Sequence, residues 1–312
     1  MIRQMNIEST NDKQPTAPAI PYSECYRQPF FQFYCQDSLI GIKKLNDNTV
    51  NCILTDPPYL YLKGQKLERE FDELLFFTEC KRVLKDDGFI VLFGRGASFY
   101  RWNTILSNLG FTFKEEIIWN KRMNSMPGIP LMRKHETISI FTKKTGKINR
   151  VYVDYLDKKK FDLYSMQNDI KRIASAIDSD EINDLKKFLE TGEIDYEDKK
   201  SVHFFKNGHG ERSRATATLK SMQNGLCESS IIEELRDHYN SIHPTQKPVR
   251  LIERLLALTT KEGDLVLDAF AGSCSIGISC LNTKRKFIGY EIDKEYFDKA
   301  VERIKCVEPR LF

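Results

Sequence analysis

Short unbroken apolar runs alternate with stretches whose apolar residues recur every three or four positions, first over about residues 30–142 and again over about 241–312. In the first zone VNCILTD precedes DELLFFTECKRVLK, GFIVLFG precedes FYRWNTILSNLG, and FKEEIIW and HETISIFTK follow. Unbroken runs read as strands buried on both faces, and the longer spacing reads as amphipathic helix. Their alternation predicts an α/β fold around a largely parallel sheet. Gly88 and Gly110 are expected to stop the two helices. In the second zone Pro248 opens the helix VRLIERLLALTT; the strand DLVLDAF, the helix SIGISCLNTK, the strand KFIGYEI and the helix KEYFDKAVERIK follow. Both zones are Rossmann-like.

The middle of the chain breaks this grammar. Residues 143–240 are rich in Lys, Asp, Glu, Ser and Asn, and their apolar runs are short. One helix is expected from Ser179 to Glu190, with Asp178 and Glu181 as a capping pair and Gly192 at its end. This zone reads as an insert. Residues 1–24 are polar and proline-bearing and are expected to form a flexible arm. The organisation expected is therefore an arm over 1–24, one discontinuous domain over 25–142 and 241–312, and an insert over 143–240.

Composition changes this picture little. A 312-residue chain of net charge +4 suits one large domain or two smaller ones and is compatible with a polyanionic partner. The eight cysteines form no C-x-x-C pair and no zinc-spaced cluster, so reduced core thiols in a cytoplasmic protein are expected, with no metal. No apolar stretch reaches the roughly 18 residues of a membrane span, and the N-terminus lacks the apolar core of a signal peptide.

Two segments carry chemistry. Asp56-Pro57-Pro58-Tyr59 follows the strand Val50 to Leu54, and its prolines must end that strand. A carboxylate, a constrained carbonyl and a ring are thus offered at the carboxyl end of a parallel strand, where open α/β sheets place ligands. An exocyclic base amine is a poor nucleophile because its lone pair is conjugated into the ring. Acceptors on both of its N–H groups, Asp56 and the Pro57 carbonyl, would free that pair, while Tyr59 could stack on a base taken out of a duplex. A simple capped turn would also satisfy the four residues. The second segment is Asp268-Ala269-Phe270-Ala271-Gly272-Ser273, a small-residue turn between strand and helix. Glu291 follows about 20 residues later, where an acid grips ribose hydroxyls.

With both segments and their order in view, the chain resembles the amino methyltransferases of bacterial and phage restriction-modification systems, in the permuted order called the β class. That family puts the catalytic half first, target recognition in the middle and the cofactor half last. Here Asp56-Pro57-Pro58-Tyr59 precedes the glycine turn by about 210 residues. Further matches are His243-Pro244-Thr245-Gln246-Lys247-Pro248, Trp119-Asn120-Lys121, Arg82-Val83-Leu84-Lys85 with Gly88, and Asp37 before the first segment. One departure is Cys274, where the family's turn often ends in glycine.

The resemblance implies a site-specific DNA methyltransferase using S-adenosylmethionine on adenine N6 in double-stranded DNA, by base flipping and direct transfer. Asp56, Pro57 and Tyr59 would hold the amine. Asp268, Phe270, Ala271, Gly272 and Ser273 would wrap the methionine part of the cofactor, Glu291 its ribose and Asp37 its adenine end. Thr245 and Lys247 would meet its carboxylate at a helix N-terminus. Asp37 reads equally as a cap for a helix over Ser38 to Lys44, and Lys247 as a solvated charge. The insert becomes the target-recognition region. A cytoplasmic, nucleoid-associated setting follows, and a homodimer and a cognate restriction endonuclease are compatible partners. Cytosine N4 is the alternative target; an RNA amino-methylating enzyme or a non-catalytic DNA-binding relative are the further alternatives. Cytosine carbon-5 chemistry needs a cysteine nucleophile in a Pro-Cys context, and the chain has no Pro-Cys. Lys63, Lys66, Arg69, Lys121, Arg122, Arg133 and Lys134 could contact phosphates, although any one of them reads more readily as ordinary solvated surface, and a flexible segment, Lys206 to Lys220, is the candidate for groove contact.

Overall fold

Apolar residues in unbroken succession must find cover on both sides of a strand, and the chain supplies it with helices. A computed structural model describes residues 24–59, 69–125, 133–177, 210–236 and 241–307. The chain divides into two compact units. Met1–Glu115, Ile138–Lys147 and Arg236–Phe312 form the first, and Glu116–Thr137 with Ile148–Leu235 the second.

In the first unit the strands are β1 (Cys25–Gln28), β2 (Phe31–Cys35), β3 (Val50–Thr55), β4 (Leu84–Gly94), the start of β5 (Thr112–Ser125), the end of β6 (Arg133–Thr142), β10 (Leu265–Asp268) and β11 (Lys286–Glu291). Their order is β1-β2-β11-β10-β3-β4-β6-β5. The pairs β2–β11, β11–β10, β10–β3 and β3–β4 are parallel, and β1 pairs antiparallel with β2. From β3 the chain passes through helix α2 (Glu73–Val83) to β4 on one side; from β10 it passes through α8 (Ser275–Asn282) to β11 on the other. Adjacent strands whose connections depart in opposite directions open a crevice at their carboxyl ends, the usual ligand position of such sheets. That crevice lies between β3 and β10.

Helix boundaries follow from local chemistry. Asp72 caps α2 by accepting from the Leu75 amide at 2.9 Å, and Asp37 caps α1 (Ser38–Ile42) from the Leu39 amide at 2.8 Å. α3 (Gly96–Asn108) closes through Gly110 at φ 80°, a left-handed position that suits glycine. α7 (Val249–Thr259) starts after Pro248, and Asp293 caps α9 (Lys294–Lys305). Neighbouring strand residues face opposite ways. Ile53 therefore joins Phe76, Phe77, Trp102, Leu106 and Tyr290 in one buried cluster, while Cys52 meets Thr259 of α7 on the other face. Each such large apolar side chain contributes roughly 1.5–3 kcal/mol on burial.

Gly88 does not end a helix. α2 stops at Val83, and Gly88 lies inside β4, where a Cβ would meet the Leu84 side chain at 2.8 Å and the Asn51 carbonyl at 2.9 Å. Its role is close approach of β4 to β3. Residues 25–35, at the start of the domain, form β1 and β2. Of the cysteines, 52, 80, 274 and 280 are buried, whereas 25, 227 and 306 are exposed, so not all are core thiols.

The second unit holds α4 (Tyr155–Lys159), α5 (Leu163–Ile177), α6 (Gly210–Asn224), the antiparallel pair β7 (Tyr152–Val153) and β8 (Leu226–Cys227), and β9 (Ile231–Glu233) parallel to β5. Its charge-rich composition is spent partly on internal pairs. Lys158 meets Glu228 at 2.5 Å, Lys160 meets Glu234 at 3.1 Å, and the Tyr155 hydroxyl donates to the buried Asp169 at 2.7 Å. Leu163, Met166, Ile170, Ile173 and Ile177 recur at helical spacing, the signal for α5 that the short apolar runs concealed. From Gly210 onward the segment expected to be flexible is helix α6. The helix expected over Ser179–Glu190, and Lys206–His209, lie outside the described residues. Among the described residues no helix is long and apolar enough to cross a membrane.

Candidate active site

β3 ends at Thr55 because Pro57 and Pro58 have no amide hydrogen for a ladder. Asp56 is thereby left at the strand's carboxyl end with both oxygens engaged. The Tyr59 hydroxyl donates to one, and the Lys247 ammonium donates to the other at 2.5 Å. The Asp56 and Lys247 side chains are only 15% and 8% exposed, so this is a shielded pair. The Ser98 hydroxyl donates to the Tyr59 carbonyl at 2.6 Å and fixes the backbone after the prolines. The Tyr59 ring lies 6.0 Å from that of Trp102.

Next door, β10 delivers Asp268, which is buried and accepts from the Thr55 hydroxyl at 3.0 Å and the Phe270 amide at 3.1 Å. Burial pushes its carboxyl up to about 7 against those two donors, and the neighbouring charges of Asp56 and Glu291 push the same way. The turn that follows is tied to β11. The Ala271 amide donates to the Tyr290 carbonyl at 2.9 Å, and the Gly272 amide to Glu291 at 2.8 Å. The other Glu291 oxygen takes the Asp293 amide at 2.8 Å, and burial raises this carboxyl too. Gly272 has φ 49° and Cys274 φ 56°. Both are left-handed positions, which glycine adopts without strain, and Cys274 occupies one of them. Arg303 holds the turn from α9, donating to the Ser273 carbonyl at 2.9 Å and the Ser275 hydroxyl at 3.0 Å. The Phe270 ring packs 5.1 Å from Phe71, which lies 6.4 Å from Trp102, so an aromatic chain links the two segments.

Asp37 stands two residues past β2 as the cap of α1, and the Gln36 amide beside it donates to the Glu291 carbonyl at 2.8 Å. Asp37, Glu291, Asp268 and Asp56 thus occupy the ends of four adjacent parallel strands. Thr245 is exposed on its loop, its hydroxyl 3.1 Å from His243 Nδ1. His243 stacks edge-on to Tyr296 at 4.3 Å and lies against Gly272; burial, then the Lys247 charge, lowers its imidazole to about 4. Ser98 and Arg303 are supporting residues that no motif singled out. Only their contacts reveal them.

Three carboxyls near one crevice, two of them raised by burial, suit a ligand bearing positive charge. S-adenosylmethionine carries a sulfonium and an ammonium, so the donor set fits it. Among the described residues no group of His, Cys, Asp and Glu is arranged to hold a metal ion.

Several cations expected at phosphates are committed elsewhere. In the second unit Lys121 is buried against Glu136, with the Trp119 ring beside it, which removes it from any DNA contact. The Trp119 indole donates to the Glu234 carbonyl at 2.7 Å. Arg122 lies 3.3 Å from Glu233, and in the first unit Arg69 lies 3.8 Å from Asp293. Lys63 and Lys66 lie outside the described residues, as does the Arg133 side chain.

The chain is similar to known proteins. A family model for DNA methylases of the N6/N4 methyltransferase type matches residues 50–302, and the chain belongs to that family. The Type II methyltransferase M.HpaI of Haemophilus parainfluenzae is 27% identical over 283 residues, covering 86% of this chain and 73% of its own. M.HinfI of Haemophilus influenzae is 24% identical over 298 residues, covering 88% and 68%. Among solved structures, PvuII DNA methyltransferase, which is cytosine-N4-specific, superposes with TM-score 0.56 at 15% identity over 90% of this chain and 88% of its own. The M1.HpyAVI complex with S-adenosylmethionine gives 0.52 at 21% identity over 88% and 99%. At these identities the structural likeness speaks to the fold.

Proposed function

We propose that this DNA methyltransferase transfers the methyl group of S-adenosylmethionine to N6 of adenine at a specific site in double-stranded DNA. The observation that carries the reading is the Thr55–Asp268 hydrogen bond, 3.0 Å long between residues 213 apart. It supports a single site made from the amine-holding segment and the cofactor turn, flanking the crevice where the sheet's connections diverge.

A base rotated out of the duplex would lie against Tyr59, with its amine between the Asp56 carboxylate and the Pro57 carbonyl. Acceptors on both hydrogens localise the nitrogen lone pair, and Asp56 is placed to take the proton released as the nitrogen is methylated. Asp268, Phe270, Ala271, Gly272 and Ser273 would hold the methionine part of the cofactor, Glu291 its ribose, Asp37 its adenine end, and Thr245 would flank its carboxylate. Bound there, S-adenosylmethionine supplies a methyl group already made electrophilic by its sulfonium, so much of the rate comes from placement. Adenine is favoured over cytosine because the segment begins with Asp56, where cytosine-N4 relatives more often have serine. The second unit, with the 143–240 insert, would read the target sequence.

The test is long-read modification mapping of DNA from a methylation-free host expressing the chain. N6-methyladenine at one recurrent sequence is expected. N4-methylcytosine would overturn the adenine assignment, and unmodified DNA the function.

A further inference from the structure

Lys247 pairs with the carboxylate at the end of β3. Its ammonium donates to Oδ2 of Asp56 at 2.5 Å, across 191 residues of chain, and lies 5.0 Å from the centre of the Phe93 ring in β4. Lys247 and Tyr59 together take one lone pair on each Asp56 oxygen and so fix the plane of the carboxylate.

The surrounding charges explain what the ammonium does. Asp268 and Glu291 stand at the ends of the next two strands, and His243, on the loop that carries Lys247, is held neutral at ordinary pH. A carboxylate in a shielded crevice beside two other acids tends to keep its proton. An amine acceptor must be ionised before the amine arrives, and an adjacent cation secures that.

We propose that Lys247 is a positioning residue for the transfer step, holding the Asp56 carboxylate charged and turned to the incoming amine rather than gripping the cofactor's carboxylate. This rests on the reading of Asp56 as the amine acceptor. Lys247 acts through Asp56 and touches neither the methyl group nor the base.

The two roles separate by experiment. Lys247→Met keeps the length and apolar stem of the side chain and removes its charge. Single-turnover transfer of labelled methyl from S-adenosylmethionine to DNA of a methylation-free host is compared with calorimetric binding of S-adenosylmethionine alone. We expect transfer at saturating cofactor to fall about 100-fold or more while cofactor affinity stays within about threefold. The acid limb of the rate–pH profile should move to higher pH, and Lys247→Arg should recover at least about tenfold of the loss. A cofactor affinity weakened about tenfold or more with the transfer rate retained would overturn the assignment in favour of a cofactor ligand. A Lys247→Met rate equal to wild type would also overturn it. If wild-type protein labels no DNA, the proposed function fails and takes this assignment with it; if wild type labels and the variant labels equally, the Lys247 role alone fails.

Discussion

The Thr55 hydroxyl donates to the Asp268 carboxylate across 3.0 Å, joining the last residue of β3 to the last residue of β10. Everything proposed for the crevice depends on those two strands being neighbours. β3 carries Asp56 one residue further on, and β10 carries the turn that reaches Glu291.

Asp56→Ala should abolish methyl transfer, by about 1,000-fold or more, with S-adenosylmethionine binding largely retained, since the proposed function has its carboxylate meet the amine and not the cofactor. Methyl incorporation and calorimetry measure the two. Near-normal turnover would remove Asp56 from the chemistry.

Asp268→Asn should change how stability depends on pH. With its carboxyl raised from 3.8 to about 7, the folded chain keeps a proton that the unfolded chain has released. This contribution is complete below about pH 4 and is lost as pH rises through about 7. His243 works in the opposite sense: lowered from 6.5 to about 4, its contribution is present above pH 6.5 and lost as pH falls toward 4. The variant should therefore melt higher than wild type at pH 8 and show a steeper rise in Tm between pH 4 and 7. An unchanged pH slope would contradict the burial of this carboxyl. Affinity for S-adenosylmethionine should fall, since the crevice loses negative charge.

Arg82→Ala should destabilise the fold by about 2–4 kcal/mol and leave the methylated sequence unaltered. The guanidinium donates to the Ile42 and Leu45 carbonyls at 3.0 and 2.8 Å, and to Glu79 and Asp47. It thus clamps the end of α1 to α2, which gives the Arg82-Val83-Leu84-Lys85 motif a structural purpose. Denaturant unfolding and modification mapping check the two halves; a changed target sequence would argue against that purpose.

Exchanging residues 143–240 for those of a relative with a different target should change the recognised sequence and keep the modified base. Modification mapping of the hybrid reports both at once. A hybrid that keeps the original target would locate the reader elsewhere.

Periodicity along the chain was enough for the α/β class, the strands β3, β4, β10 and β11 and the helices between them, because buried parallel strands and amphipathic helices leave opposite signatures. The residue types at Asp56–Tyr59 and Asp268–Ser273 likewise marked the strand ends and turns, since prolines and small residues constrain the backbone locally. Other features depended on neighbours distant in sequence. Gly88 looked like a helix stop and proved to be a strand contact, because its need for a bare backbone comes from Asn51 and Leu84. Lys121 looked like a phosphate ligand until Glu136 was found beside it. Lys247 could have faced solvent, cofactor or carboxylate, and only strand order decided, by setting β3 beside β10 and bringing the loop before α7 over Asp56. Local backbone preference is written residue by residue, whereas the partner of a charge is chosen by which strands pair, and that is a property of the folded chain.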